Sequence, residues 1–492
     1  MKNKLNSNLN EFKKDSMIYL FGNISVGLSS VVLTSMYTNF FSTESYGEYS
    51  LVFGIITLMI GILVGWLSES TIRFSDSYSR AHEKSKLYST IFISIIFIDI
   101  LFTVLMLLFI FNHNLSNHMN NLYLSSLIMF ISQGFHDVSK AILRANRKSG
   151  IFSLGNIILV ICKIVLIYVF AKVLNFKVES IFYTISIANT IVFLFNIKYI
   201  NALPYIKFKY FSKSTLHQLF KYGMPLVGVS ITVWILSTSD KYIIKIFGSA
   251  SQVGIYSVCY SLGTGIFNMI ITFMMLSAFP IIVKTWNEEG KEKTEQLISK
   301  LIRYYFIVTI PSFWGICSLS KEILALVSNS QYVGGNKIFC LSSLAILLFG
   351  LAQYTNKAWE LTKNTKVTLI LIGISSMLNI ILNFIFIPIY GYEIAAMTTV
   401  VSYLIYLMLS IYKSRKILLI KFNVISIVRS IIASSIMAVV IKYLITTIYN
   451  RIWGIVISFI IGIITYFFVL AITGELNKEI RLILGDLNSK KL

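Results

Sequence analysis

From Ile91 to Phe111 the chain reads IFISIIFIDILFTVLMLLFIF, and Asp99 is the one charged residue in it. A bilayer's hydrocarbon core takes about 20 apolar residues to cross as a helix. Only helices and closed barrels can cross it, because an unpaired backbone amide finds no water there. The stretch is long enough to span, and it is one of many. Comparable spans are expected at about 17–40, 46–68, 88–111, 121–142, 151–172, 178–200, 218–238, 253–283, 300–327, 336–356, 366–388, 391–412, 424–447 and 451–473, with ends uncertain by a few residues. The expected fold is an all-α integral membrane protein of about fourteen transmembrane helices. The run 253–283 exceeds one bilayer thickness and is expected to project into water near Trp286.

Charge supports this count independently. With the N-terminus in the cytoplasm, about 34 of the 43 Lys and Arg residues fall on the cytoplasmic side, about 8 outside and one, Lys163, within a span, which is the bias that sets orientation. The outer turns near Asn39–Tyr46, His113–Asn120 and Pro388–Tyr392 carry no Lys or Arg. An even number of spans puts both termini in the cytoplasm, and the location expected is a bacterial cytoplasmic (inner) membrane. The long first apolar run has no small-residue cleavage site after it and reads as a retained span rather than a removable signal. The net charge of +22 would suggest nucleic acid on a soluble chain. Here cytoplasmic retention of Lys and Arg explains it, and no nucleic-acid partner is expected. No connection is long enough for a soluble catalytic domain. The four cysteines match no metal or disulfide spacing and read as small buried hydrophobes.

An internal repeat is also present. Gly47-Glu48-Tyr49-Ser50 opens the second span and Gly254-Ile255-Tyr256-Ser257 opens the eighth, 207 residues apart. Six spans separate the copies, so the two halves share one orientation, a parallel repeat about an axis along the membrane normal. The organisation expected is an N-terminal lobe over 1–200 (spans 1–6), a cytoplasmic connection over 201–217 and a C-terminal lobe over 218–412 (spans 7–12). Residues 413–492 add helices 13 and 14 and a tail.

Several stretches then resemble one family. Lys221-Tyr222-Gly223-Met224-Pro225-Leu226 opens span 7, Ser239-Asp240-Lys241-Tyr242-Ile243-Ile244 closes it, and Val253-Gly254-Ile255-Tyr256-Ser257 follows. Gly65 through Arg73, Ile142 through Arg147 and Gly391 through Ala396 fit the same pattern, with Glu393 where the family more often has a small residue. Together they look like Wzx-type lipid-linked oligosaccharide flippases of the multidrug/oligosaccharidyl-lipid/polysaccharide exporter superfamily. The resemblance implies two six-helix lobes around a central cavity plus two C-terminal helices. It implies translocation of an undecaprenyl-pyrophosphate-linked glycan, such as an O-antigen or capsule unit, from the cytoplasmic to the outer leaflet by alternating access. The partners implied are that lipid-linked glycan and the bilayer, with a polysaccharide polymerase and chain-length machinery as further candidates. No catalytic group, metal or cofactor is implied; coupling to a H+ or Na+ gradient or to the membrane potential stays open.

Pyrophosphate and sugar cannot enter hydrocarbon cheaply, so a wet polar or cationic path must carry them. Arg and Lys are the natural pyrophosphate partners. A charge within a span costs at least about 2.5–3.5 kcal/mol on insertion scales and so needs a function or a partner. Lys163 and Asp99 are the sharpest cases: they pair with each other, or Lys163 contacts the anion and Asp99 holds a proton or cation. Glu69 and Arg73, four apart on one helix face, form an interfacial ion pair or an inner gate. Asp137, Lys140 and Arg144 share a face, with Lys140 and Arg144 either lining the cytoplasmic entrance or serving as positive-inside charge. Asp240 and Lys241 read as a lock at the outer end of span 7, or as charges snorkelling to the interface. Lys357 and Glu360 read as a structural pair. Gly61-x-x-x-Gly65 permits close helix contact. Gln133, Asn189, Asn356, Asn379 and Asn383 read mostly as interhelical hydrogen bonds. The five His make no catalytic cluster. A cation-coupled drug or metabolite antiporter of the same superfamily is the main alternative. An integral-membrane glycan polymerase is less favoured, since no large outer loop is present.

Overall fold

The structure is a computed structural model that describes residues 22, 24–78, 81–113, 116–364, 366–448 and 450–477. The start of the first expected span and the C-terminal tail lie outside the described residues. Those residues are almost entirely helical. In chain order the helices are α1 (24–40), α2 (Thr43–Leu63), α3 (Gly65–Phe74), α4 (Ala81–Asn112), α5 (Asn117–Ala145), α6 (Ser149–Tyr168), α7 (Ser180–Ile200), α8 (Lys213–Phe247), α9 (Ala250–Glu288), α10 (Lys291–Ser318), α11 (Ser320–Val327), α12 (Asn336–Leu361), α13 (Lys366–Tyr390), α14 (Ile394–Ser414), α15 (Val424–Thr447) and α16 (Arg451–Ile472). Among the described residues, twelve helices are long and apolar enough to cross a bilayer. This is a multi-pass membrane protein.

Helix ends follow local chemistry. Ser42, Ser116, Ser212, Asn423 and Asn450 each accept a backbone N–H of the first turn that follows, at α2, α5, α8, α15 and α16. Asn201 closes α7 in the left-handed conformation, at φ 54°. Large apolar side chains remain exposed along outward faces, as at Phe97 (67%), Phe111 (77%) and Val439 (69%), where acyl chains rather than water would meet them.

Three spans differ from the expected ones. The second is two helices, α2 and α3, separated by Val64. The ninth is likewise divided at Leu319 between α10 and α11. A one-residue break leaves the run of apolar side chains unbroken, so hydropathy cannot register it. The helix expected to close at Asp240 and Lys241 runs on to Phe247, which leaves both residues inside α8. Pro225, Pro280, Pro311 and Pro388 are all accommodated inside helices.

The chain forms two compact units. One comprises Met1–Ser257 with Asn383–Tyr392, and the other Val258–Leu382 with Glu393–Leu492. In the first unit the two copies of the repeat meet. A Cβ at Gly47 would collide with the carbonyl oxygen of Ala250, and one at Gly254 with that of Thr43. Each glycine thus faces the residue four positions before the other. Ser50 donates to Ser257 at 2.8 Å, and the Thr43 and Ser251 hydroxyls lie 2.7 Å apart. The relation is reciprocal, as a twofold-like crossing of α2 and α9 requires. A second close approach lies at Gly223 of α8, where a Cβ would strike the Trp66 carbonyl and the Ser70 hydroxyl, and Ser70 donates to the Leu219 carbonyl at 2.7 Å. The Gly61-x-x-x-Gly65 pair makes no such approach: no atom lies within 4 Å of a Cβ at Gly61.

In the second unit α15 and α16 pack on α10. Ile307, Met437, Ile441, Tyr466 and Leu470 share one buried cluster, and Tyr466 donates to the Ile307 carbonyl at 2.8 Å. Tyr305 of α10 donates to the Leu347 carbonyl of α12 at 2.7 Å. Just past α16, buried Glu475 accepts from Arg303, Arg429 and Ser426. Lys357 and Glu360 form the expected pair at 2.7 Å, with the Lys357 ammonium also over the Phe279 ring.

Two outcomes are expected. Gly47→Ala should destabilise by about 1–3 kcal/mol, the usual cost of overpacking, while Gly61→Ala should stay within about 0.5 kcal/mol. Thermal unfolding in detergent checks both, and an equal response would contradict the crossing. Burial acts to raise the Glu475 pKa, but hydrogen bonds from Ser426, Arg303 and Arg429 outweigh it and hold the group below its ordinary 4.5. The Glu475 contribution is therefore present above that value and lost as pH falls through the lower, folded one. The unfolding gap between wild type and Glu475→Gln should be constant near neutrality and close only below pH 4.5. A gap that closes above that pH would contradict the clamp.

Candidate functional site

The polar side chains of the first unit gather where α5, α6 and α7 pack together. Asn189 of α7 donates to the Gln133 amide oxygen at 2.7 Å, and Gln133 donates in turn to an Asp137 carboxylate oxygen at 2.8 Å. Two turns on, Asn196 donates to Ser139 at 2.9 Å, and Ser139 donates to the His136 carbonyl. Lys140 lies over the Phe152 ring of α6, 5.4 Å from its centre. Lys163 projects from α6 into the same field, where the charges of Lys140 and Asp137 act on it. Its ammonium is half-buried and, among the described residues, forms no ion pair.

The helices bring these residues together for a simple reason. Gln133, Asp137, Lys140 and Arg144 recur at spacings of four, three and four, so they form one stripe along α5. Gly155 of α6 lets Asn196 and Val192 of α7 come close. The stripe makes α5 more polar than its neighbours, and it is absent from the twelve strongly apolar helices. The charge balance is uneven: two ammonium groups, Lys140 and Lys163, share one carboxylate, Asp137. Arg144 stands further along the stripe and is exposed. A region of this kind can hold an anion, while Gln133 and Asn189 fix the one carboxylate, Asp137, whose charge acts on both cations.

His136 was not singled out by the sequence reading, which saw only scattered histidines. It is 1% exposed, neither ring nitrogen has a hydrogen-bond partner among the described residues, and the charges of Lys140 and Lys163 both act on it. The signal available was its place four residues before Lys140 on the stripe.

The Asp99–Lys163 pair does not form. Asp99 of α4 is buried and, among the described residues, neither carboxylate oxygen has a hydrogen-bond partner. Glu69 and Arg73 share α3 as the spacing implied, but both are exposed and no ion pair joins them. Long side chains in water gain little from such a pair.

Asp240 and Lys241 form a separate network beside the glycine crossing. Asp240 is fully buried and accepts from Tyr256 of α9 and, at 2.6 Å, from Asn383 of α13. Lys241 donates to Ser50 of α2 at 3.0 Å, and Tyr242 to the Leu51 carbonyl at 2.9 Å. The network thus ties α8 to α2, α9 and α13 and includes both serines and one tyrosine of the repeat.

A profile of the family described as polysaccharide biosynthesis protein matches residues 12–286, more than half of the chain. The chain belongs to that family. Among curated proteins it is similar to the probable low-salt glycan biosynthesis flippase Agl15 of Haloferax volcanii, 28% identical over 229 residues. That match covers 45% of this chain and 46% of the relative, so it spans about half the length of each. Among solved structures, the lipid II flippase MurJ in an inward closed conformation superposes with a TM-score of 0.72 at 19% identity, covering 96% of this chain and 98% of that one. An inward-facing multidrug resistance MATE family transporter of the MOP superfamily gives 0.62 at 15% identity, covering 82% and 94%. A MOP superfamily transporter from Pyrococcus furiosus gives 0.57 at 16%, covering 82% and 95%. The fold of this polysaccharide biosynthesis protein is therefore that of the MurJ and MATE transporters.

Asp240→Ala should cost about 1–3 kcal/mol by stranding two buried donors, whereas Glu69→Ala and Arg73→Ala should remain within about 0.5 kcal/mol. Unfolding midpoints of the three variants check this. A silent Asp240→Ala would remove the network from the account.

Proposed function

We propose that this protein is a flippase for a polyprenyl-pyrophosphate-linked oligosaccharide, undecaprenyl-linked in a bacterial inner membrane, moving it from the cytoplasmic to the outer leaflet. The observation that carries the reading is the cation surplus of Lys140 and Lys163 at the α5–α6–α7 junction of a glycan-biosynthesis family member. A pyrophosphate brings the negative charge that this group lacks. Lys163 is its principal contact and Lys140 the second, with Arg144 and Arg73 drawing the anion from the cytoplasmic side. Gln133 and Asn189 offer amides to phosphate or sugar oxygens. The polyprenyl tail remains in lipid while the polar head crosses.

The two lobes of spans 1–6 and 7–12 rock about the repeat, and the Asp240–Lys241 network, inside α8 rather than at its end, is the lock between them. Glu69 serves at the inner gate. No bond of the substrate is made or broken, so the protein acts as a transporter. The product is an O-antigen, capsule or similar surface-glycan unit, handed to a polymerase and chain-length machinery. Fold coverage supports the flippase branch: MurJ accounts for almost the whole chain, whereas the MATE neighbours leave 18% of it unmatched.

The second reading, a cation-coupled antiporter, is favoured by Asp99, whose buried carboxylate lacks a hydrogen-bond partner among the described residues. In a flippase the same group would take up the coupling H+ or Na+. Asp99→Asn should then remove ion dependence while leaving substrate binding intact.

Deletion of the gene in its host should leave complete lipid-linked units in the inner leaflet. Wild type should clear them, Lys163→Arg should clear them in part and Lys163→Ala should not. Normal surface glycan without accumulation would sink the flippase reading. Equal rescue by Lys163→Ala at matched expression would retain the function and remove Lys163 as the anion contact.

A further inference from the structure

A second cationic site lies in the other unit, apart from the residues assigned above. Two spans end there: α15 begins at Val424, capped by Asn423, and α16 stops at Ile472. A cavity of about 680 Å3 opens at this level, lined by Lys300, Arg303 and Tyr304 of α10, Lys421 and Asn423 of the connection, and Arg429 of α15. Among the described residues Glu475 is its sole carboxylate, so four cations there face one anion.

The charges are not equivalent. Arg303 donates to both the side chain and the backbone carbonyl of Glu475, and its side chain is only 15% exposed. Arg429 reaches Glu475 at 3.2 Å with its side chain 37% exposed. Lys300 and Lys421 are exposed and make no ion pair among the described residues. The connection that carries Lys421 is pinned, since Lys421 N–H donates to Ser299 and Leu419 N–H to Glu295. The start of α15 adds the partial positive charge of a helix N-terminus. Three cations therefore converge on a pocket whose shape is fixed by hydrogen bonds, and that pocket lies where two spans leave the hydrocarbon.

The neighbouring surface names the ligand's other half. Ile425, Val428 and Ile432 follow one another at helical spacing on α15, and each is 48–65% exposed. An occupant with a phosphate for the cavity and hydrocarbon for this face is an amphiphile. Basic pockets between spans at the membrane surface suit anionic lipid headgroups. We propose that this pocket holds the phosphate headgroup of an anionic membrane phospholipid, with its acyl chains along Ile425, Val428 and Ile432, and that the lipid braces α15 against α10. The Arg303–Glu475–Arg429 clamp builds the wall of the site, and Lys300 and Lys421 recognise the headgroup.

The test uses the full chain in nanodiscs of phosphatidylcholine, titrated with phosphatidylglycerol and read by native mass spectrometry and by the unfolding midpoint. Wild type should bind phosphatidylglycerol and be stabilised by it. Lys300→Ala/Lys421→Ala leaves the clamp intact, so its midpoint in phosphatidylcholine alone should be unchanged. Its phosphatidylglycerol affinity should fall roughly thirtyfold, at about a kcal/mol per surface lysine. Lys442→Ala, at the opposite end of α15, should bind like wild type. Undiminished binding by the double variant, or an equal loss in Lys442→Ala, would overturn the site. Inorganic phosphate that stabilises wild type as well as phosphatidylglycerol does would overturn the lipid as its ligand.

Discussion

Two helix backbones touch at Gly47 and Gly254, and much of the first unit depends on that contact. Between helices in lipid there is no hydrophobic force to draw them together, so close packing and hydrogen bonds must do it. Removing both Cβ atoms brings α2 and α9 near enough for Ser50 to reach Ser257 and Thr43 to reach Ser251. Lys241 then donates to Ser50, and Asp240 next to it is satisfied by Tyr256 and Asn383. A buried carboxylate and a half-buried lysine are thus held by a network whose geometry two glycines make available. Each repeat copy supplies matching backbone but different side-chain use: Tyr256 serves Asp240, whereas Tyr49 packs against Phe182.

The α5–α6–α7 junction follows another logic. Its polar groups are mutually bonded on one side, from Asn189 through Gln133 to Asp137, yet its cations exceed its anions. A purely structural network would be expected to close its charge, because an uncompensated cation within a span is expensive. Lys357 with Glu360 shows what closure looks like in this chain, at 2.7 Å. Lys163 has no such partner among the described residues, which is the physical reason for assigning it to a ligand that supplies the missing charge.

Fold class was legible because the length of an apolar run is a direct measure of the bilayer it must cross. The repeat was legible because Gly-x-Tyr-Ser sits at equivalent places in two sets of spans. Lys163, Lys140 and Asp137 could each be picked out by charge, but their convergence could not. Helices that are apolar all round do not declare which face packs, so depth alone leaves both a pair of Asp99 with Lys163 and separate roles for the two open. The same blindness favoured Gly61-x-x-x-Gly65 over Gly47, Gly223 and Gly254. Spacing shows that close approach is permitted, and only the partner helix shows where it occurs. The breaks at Val64 and Leu319 left no mark on hydropathy. His136 was hidden by being counted with the other histidines rather than placed on the stripe of α5.

The most direct test of the account reconstitutes the purified chain in sealed vesicles with an undecaprenyl-pyrophosphate oligosaccharide distributed over both leaflets. A membrane-impermeant sugar oxidant is added outside. With wild type present, the substrate first shielded in the inner leaflet should become oxidised during the assay, and with Lys163→Ala it should remain shielded. If wild type leaves the inner-leaflet pool untouched under an imposed membrane potential and under H+ and Na+ gradients, the protein is not the flippase described here.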